Sequence, residues 1–297
     1  MNKIFKELIK NFPDFDIRQN IDMQNKHTYH IKCFAKIYIK ITSYKDLCEM
    51  LQYLYQKNIP YIILGGGSNV IFKEKIIKKV VVHLASGNIE KKDECSIRVF
   101  AGVSFSKLLL FCAENNLSGL EWSAGIPASV GGAVTMNMGA FGYNIATYVT
   151  KVIYFYNGQV NKKNTNIHDF SYRDSIFKKQ NCVILCVEFN LEKGERDEIE
   201  QKIKNNINKK RNLQPVDKCS CGSVFKNPIG LSVAKLIDEC GLKGYCKKDA
   251  EISVVHSNFI INKKNATFQD IFSVIRYVKK VVQKRYNICI FCEVVIQ

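Results

Sequence analysis

At 297 residues, 46% hydrophobic and 24% charged, the chain has the composition of a globular protein with length for two or three small cores, which excludes disorder. Its formal net charge of +17 suits nucleic acid, anionic lipid or an anionic small substrate, though with the basic residues scattered along the chain a plain bias toward lysine is the simpler reading. No RNP, zinc-finger or basic-zipper pattern singles out nucleic acid. No run approaches the roughly 18 apolar residues that span a bilayer, so the expectation is a cytosolic protein whose 12 cysteines stay reduced.

The amino terminus, MNKIFKELIKNF, spaces Ile4, Phe5, Leu8 and Ile9 as a short surface helix, and the charges between them break the apolar core that a signal peptide needs. Next come a strand at 36–41 (KIYIKI), a helix opening on Ser43-x-x-Asp46, and a strand at 61–64 (YIIL). This βαβ unit ends in LGGGSNVIF. A second unit has strands at 79–83 and 96–101, a helix at 105–115, a glycine-rich segment at 123–142, a hairpin turning at Asn157-Gly158, and the run CVILCVEFNL. A polar helix at 195–211 stops before Gln214-Pro215, which reads as a linker. Beyond it lie a strand GSVFK, a helix LSVAKLIDECG, a strand FIIN, a long helix at 267–286, and a final strand ICIFCEVVI. The expected architecture is α+β in three parts: 1–75, 76–194, and 195–297.

No metal site is expected from the cysteines. Cys289 and Cys292, three apart, fall on opposite faces of a strand, and Cys219 with Cys221 lacks a matching second pair.

Gly65-Gly66-Gly67-Ser68-Asn69 lacks the last glycine of a dinucleotide fingerprint and the amphipathic helix that should follow it. Bare backbone in extended surroundings can still turn several N–H groups onto an anion; a tight turn without ligand is the alternative. A second glycine cluster, SAGIPASVGGAVTMNMGAFG, favours the ligand, because such a backbone is made to lie against something flat. Two bare segments suggest a large cofactor with phosphates on the first and a planar ring on the second.

LGGGSNVIF, AGIPASVGGAVTMNMGAFG, YRDSIF, CGSVFKNP, EISVVHSNFIIN and the late EVV fall in the order and approximate spacing of the UDP-N-acetylenolpyruvoylglucosamine reductases, flavoenzymes of peptidoglycan precursor synthesis. The resemblance covers nearly the whole chain. It implies a two-lobed FAD-binding module of the vanillyl-alcohol-oxidase type followed by a substrate-binding domain. By the same resemblance Gly65, Gly66, Gly67, Ser68 and Asn69 would hold the FAD pyrophosphate, while Gly125, Ile126, Pro127, Ser129, Gly131 and Gly132 would line the flavin. The interval between Phe177 and Gln214 is filled by a predicted strand and helix, which resembles the shorter subclass without a mobile tyrosine loop. The chain departs from the family after Thr28, where Lys32-Cys33-Phe34-Ala35 stands in place of Gly-Gly-Pro-Ala, and at Ala128, in place of glycine.

The implied reaction is reduction of an enolpyruvyl ether to UDP-N-acetylmuramate: NADPH reduces FAD, and hydride then passes from flavin N5 to the terminal enol carbon. Charge builds on the adjacent carbon and its carboxylate, so cationic or protonated donors are needed there. Arg173 fits as a fork for a carboxylate; a surface pair with Asp174 is the plainer reading. Ser223 is the expected proton donor to the carbanionic carbon, or else an ordinary strand serine. Glu293 shares a strand face with Cys289, Phe291 and Val295, and partial burial there would keep it protonated beside the enolate; an outward carboxylate on an edge strand is the alternative. Lys226 and Asn227 follow Ser223 as diphosphate or carboxylate contacts, Tyr172 and Arg211 are further substrate contacts, and His256 either touches substrate or packs.

The expectation is therefore a cytoplasmic, metal-free monomer acting on a UDP-sugar with FAD and NADPH, without nucleic-acid or membrane partners. Another FAD oxidoreductase of the same fold is the first alternative, and a basic nucleic-acid-binding protein the second.

Overall fold

The computed structural model describes residues 2–297 and divides into two compact units. One takes the residues up to Gln19, Lys36–Gly66 and Lys78–Asn208; the other takes Asn20–Ala35, Gly67–Ile77 and Lys209–Gln297.

In the first unit, strands Phe34–Ile41, Val80–Leu84 and Tyr61–Leu64 lie side by side in that order, paired in parallel. The middle strand, VVVHL, has the near-continuous apolar run that a parallel strand buried on both faces requires. Helix Tyr44–Gln56 connects the outer two. The Ser43 hydroxyl accepts the Asp46 N–H at 3.1 Å, and Leu47, Met50, Leu51 and Leu54 recur at the spacing that aims one helix face into the core.

A second, antiparallel sheet has the order Gln159–Asn164, Val149–Tyr156, Val183–Asn190, Ser96–Phe100, Ile89–Lys91. Its first hairpin turns on Asn157 (φ 47°) and Gly158 (φ 76°), the paired left-handed conformation of a tight two-residue turn. Helix Phe105–Glu114 buries Phe105, Leu108, Leu109 and Cys112, which join Ile97, Val99, Val187 and Phe189 in one core.

The second unit has its own core of Tyr29, Ile71, Val224, Phe225, Ile237, Ile252, Ile260 and Ile275. Helix Phe268–Tyr286 starts on a reciprocal cap between Thr267 and Asp270 and buries Ile271, Val274, Ile275, Val278 and Val282. It packs on a three-stranded antiparallel sheet, Cys246–Lys247, Ala250–Ile252 and Ile260–Asn262. Val70–Ile71, just after the glycine loop, pairs in parallel with Val295–Ile296.

Two predicted strands are corrected. GSVFK forms isolated bridges, Ser223 to Phe259 and Phe225 to Cys292, instead of a ladder. The final strand is confined to Val295–Ile296, so Glu293 lies in irregular backbone and not on an alternating strand face. The cause is local: the N–H groups of Glu293 (2.8 Å) and Val294 (3.4 Å) both converge on the Val224 carbonyl, which breaks the two-residue repeat as a bulge does. Among the described residues no helix is long and apolar enough to cross a membrane, and every cysteine is a free thiol.

Candidate active site

Strand Tyr61–Leu64 delivers the chain to the glycine loop. In the first unit a Cβ on Gly65 would overlap the Ser129 hydroxyl, and one on Gly66 would lie 3.0 Å from the Pro127 carbonyl oxygen. The first bare segment therefore lies directly on the second. In the second unit Gly67 adopts φ 63°, its carbonyl takes the Thr28 N–H at 3.1 Å, and a Cβ there would overlap the Lys26 carbonyl. Only glycine fits. Among the described residues the backbone N–H groups of Gly65 through Asn69 donate to no protein acceptor, which leaves the donors an anion-binding nest needs.

The second segment is held by its own cap. Ser129 precedes the short helix Val130–Thr135 and accepts the Gly132 N–H at 3.4 Å. Gly131 donates to the Ala101 carbonyl at 2.8 Å and has no room for a side chain against the Ala101 methyl. Gly125, Pro127 and Gly132 are exposed, Ile126 half-buried. The chain's own substitutions are accommodated: Ala128, Lys32, Cys33 and Phe34 all stay outside the left-handed region that would demand glycine.

Tyr172 and Arg173 are the two turn residues of a hairpin whose strands are Phe170–Ser171 and Asp174–Ser175. Arg173 sits at φ 54°, its Cζ 5.4 Å from the Tyr172 ring centroid, and its Nη2 donates to the Gly139 carbonyl at 2.9 Å. The hairpin is pinned from below: Asn137 Nδ2 donates to the Ser171 carbonyl at 2.9 Å, and the Ser175 hydroxyl to the Thr135 carbonyl at 2.8 Å. The guanidinium is thereby held against the glycine-rich segment.

The second unit joins Ser223, Glu293 and the glycine loop through the backbone. Glu293 N–H donates to the carbonyl of Val224, the residue after Ser223, at 2.8 Å, and Asn69 Nδ2 donates to the Glu293 carbonyl at 3.3 Å. Both Ser223 and Glu293 are half-buried. Asn258, which pattern reading missed, fixes this register. Its Oδ1 accepts the Phe225 N–H and its Nδ2 donates to the Phe225 carbonyl, each at 2.9 Å, while its own carbonyl accepts the Val224 N–H at 2.8 Å.

His256 stands one turn away. Its Nδ1 accepts the Asn258 N–H at 3.3 Å, its ring meets Phe259 edge-on at 4.9 Å, and burial, with Lys243 adding to it, pushes its pKa below 6.5. A neutral ring with the proton on Nε2 is the consistent state. Lys226 is half-buried, its N–H bound to the Phe291 carbonyl at 2.9 Å, and exposed Asn227 accepts the Val233 N–H at 3.0 Å through Oδ1.

Helix Arg196–Leu213 carries an inward stripe, buried at Ile199 and half-buried at Ile203 and Ile207. The next residue on that face is Lys210, only 3% exposed, whose pKa burial pushes down to about 8. Arg211 beside it is exposed. The signal was in the spacing: a lysine continuing an isoleucine stripe turns inward.

A bare loop with unclaimed N–H donors, a second bare segment stacked on it, and an arginine aimed back at glycine define an FAD-binding module, and a family model described as an FAD binding domain matches residues 35–156. A second, described as the UDP-N-acetylenolpyruvoylglucosamine reductase C-terminal domain, matches residues 214–297. UDP-N-acetylenolpyruvoylglucosamine reductase of Clostridium novyi is 36% identical over 94% of this chain and 91% of its own, and that of Caldanaerobacter subterraneus 35% over 97% and 95%. The crystal structure of UDP-N-acetylenolpyruvylglucosamine reductase (MurB) from Thermus caldophilus superposes with a TM-score of 0.79 at 28% identity, covering 95% of this chain and 99% of that one. The chain belongs to the UDP-N-acetylenolpyruvoylglucosamine reductase family.

Proposed function

We propose that the protein reduces the enolpyruvyl ether of UDP-N-acetylglucosamine enolpyruvate to UDP-N-acetylmuramate for peptidoglycan precursor synthesis, with NADPH as reductant. FAD, when bound, supplies the hydride relay between NADPH and the substrate alkene. Gly65 through Asn69 present N–H donors to its pyrophosphate, and Gly125, Ile126, Pro127, Ser129, Gly131 and Gly132 offer a surface free of bulky side chains to its ring. Arg173 forks onto the substrate carboxylate and stabilises the charge that develops on it. The Ser223 hydroxyl gives its proton to the carbon beside that carboxylate, and Glu293, held one hydrogen bond from the Ser223 segment, donates to the enolate. Lys226 and Asn227 receive the diphosphate, with Tyr172, Arg211 and His256 as further contacts. We place the enzyme in the cytoplasm as a monomer of the shorter subclass, where its net charge of +17 favours capture of diphosphate-bearing ligands.

The observation that carries this reading is the 2.8 Å bond from Glu293 N–H to the Val224 carbonyl, which joins CGSVFKNP to the late EVV although they are distant in the chain. Stopped-flow absorbance of Ser223→Ala tests it. NADPH should bleach the bound flavin at the wild-type rate, while reoxidation by the enolpyruvyl nucleotide sugar slows by about 10²–10⁴. Equal reoxidation by both proteins refutes the role of Ser223.

A further inference from the structure

Helix Phe268–Tyr286 buries one side in the core of the second unit and turns the other to solvent. Between Asp270 and Glu293 the chain holds five cations, Arg276, Lys279, Lys280, Lys284 and Arg285, and no carboxylate. Arg276, Lys280 and Lys284, four residues apart, line one exposed face over roughly 12 Å. Among the described residues none of these three makes an ion pair or a side-chain hydrogen bond.

The acid at the start of the helix does not offset them. Asp270 is 6% exposed and accepts the N–H of Thr267 at 2.9 Å and its hydroxyl at 2.7 Å, with Lys248 Nζ 3.8 Å away. Lys248 lies in the turn after Cys246–Lys247, and exposed Lys247 adds a cation on an element packed against the same helix. A general bias toward lysine would leave acids interspersed, as on helix Arg196–Leu213, where Asp197, Glu198 and Glu200 stand among the cations and Arg196 bonds Glu200 at 2.8 Å. Charges of one sign along one face instead sum to a local positive potential. Tyr277, 39% exposed, borders the stripe and stacks on Tyr245 with centroids 4.3 Å apart and planes at 17°. The two rings thus spend on each other the faces that a nucleobase would use, while a partly exposed tyrosine suits the wet boundary of a bilayer.

We infer that this face docks the protein on an anionic lipid surface, with Arg276, Lys280 and Lys284 against the headgroups and Lys247 at the margin. The contact is peripheral and electrostatic, because the helix keeps its apolar side in the core and no helix among the described residues is long and apolar enough to cross a membrane. The expectation of no membrane partner rested on the missing spanning run, which leaves surface contact open. The stripe contains none of the residues assigned to substrate or flavin, so docking and turnover are separable.

The test is co-sedimentation of the purified protein with sucrose-loaded vesicles of equimolar phosphatidylglycerol and phosphatidylcholine, beside vesicles of phosphatidylcholine alone. The wild type should pellet only with the anionic vesicles, and its partitioning should fall at least about tenfold as ionic strength rises from about 0.01 M to about 0.15 M. The triple variant Arg276→Gln, Lys280→Gln, Lys284→Gln should partition about 10² more weakly, or about fivefold per charge removed. A control triple, Lys202→Gln, Lys204→Gln, Lys209→Gln, removes as many exposed charges from helix Arg196–Leu213 and should stay within about threefold of wild type. Equal loss in both triples assigns the binding to net charge and overturns the inference, as does a wild type that ignores the anionic lipid. Binding of polyuridylate in place of vesicles, lost in the first triple, makes the partner a nucleic acid and overturns the lipid assignment. The urea midpoint of the first triple should match that of the wild type, since the three side chains make no bond in the fold. If it does not, Lys280→Gln alone should still lose about fivefold, and wild-type partitioning by that variant overturns the inference.

Discussion

Lys210 should make the protein less stable at neutral pH than it would be without the charge. Its ordinary pKa of 10.5 falls to about 8 in the folded chain because the ammonium is buried. At about 1.36 kcal/mol per pH unit, that gap amounts to roughly 3 kcal/mol against folding wherever the folded chain must carry the proton, which is everywhere below pH about 8. Between about 8 and 10.5 the unfolded chain binds the proton and the folded chain does not, so this contribution to stability rises with pH and is complete above 10.5. Lys210→Met keeps most of the side-chain volume and removes the charge. Urea unfolding of the flavin-free protein should therefore find the variant more stable by about 1–3 kcal/mol at pH 7, with the difference shrinking toward zero as the pH passes 10.5. A variant less stable than wild type at pH 7, or a difference that does not change with pH, would refute the reasoning.

Gly67→Ala places a side chain at φ 63° against the Lys26 carbonyl and should abolish retention of FAD through gel filtration; a yellow variant eluting with full flavin content would contradict the fit. Asn258→Ala strands the N–H and the carbonyl of Phe225, which is 1% exposed, and should cost about 2–4 kcal/mol in denaturant unfolding, while a cost below about 0.5 kcal/mol would mean the segment keeps its register by other means. His256 is harder to protonate in the folded chain than in the unfolded one, so stability should fall as pH drops below 6.5. His256→Gln should flatten that slope between pH 7 and pH 5, and an unchanged slope would assign it elsewhere.

The elements that sequence spacing locates well are those whose signal is local. The valine run at 80–82 is apolar on both faces and became a strand paired on both sides, with YIIL parallel beside it at the sheet edge, and Asn157-Gly158 turned where its left-handed preference required. Ser43 capped its helix for the same reason. GSVFK and ICIFCEVVI read as strands by alternation, yet the second is broken by the Val224 carbonyl and the first is set by an amide more than thirty residues away. Asn258 takes both backbone groups of Phe225, and no period-two count can anticipate that. At the candidate site, the glycines and Ser223, Arg173 and Glu293 stand out because they sit in short recognisable strings. Lys210 was overlooked beside Arg211 because both are basic, and only the isoleucine stripe tells which one turns inward.

The bond from Asn69 to Glu293 closes across 224 residues of chain, and Val70–Ile71 waits for Val295–Ile296 to complete its pairing. On a ribosome, then, the loop emerges early and stays without that strand partner until almost the whole chain has been translated. Coenzyme loading becomes a late event of biogenesis, and a nascent polypeptide stalled short of residue 293 would carry every glycine of the grip but lack the bracing from its carboxy-terminal strand.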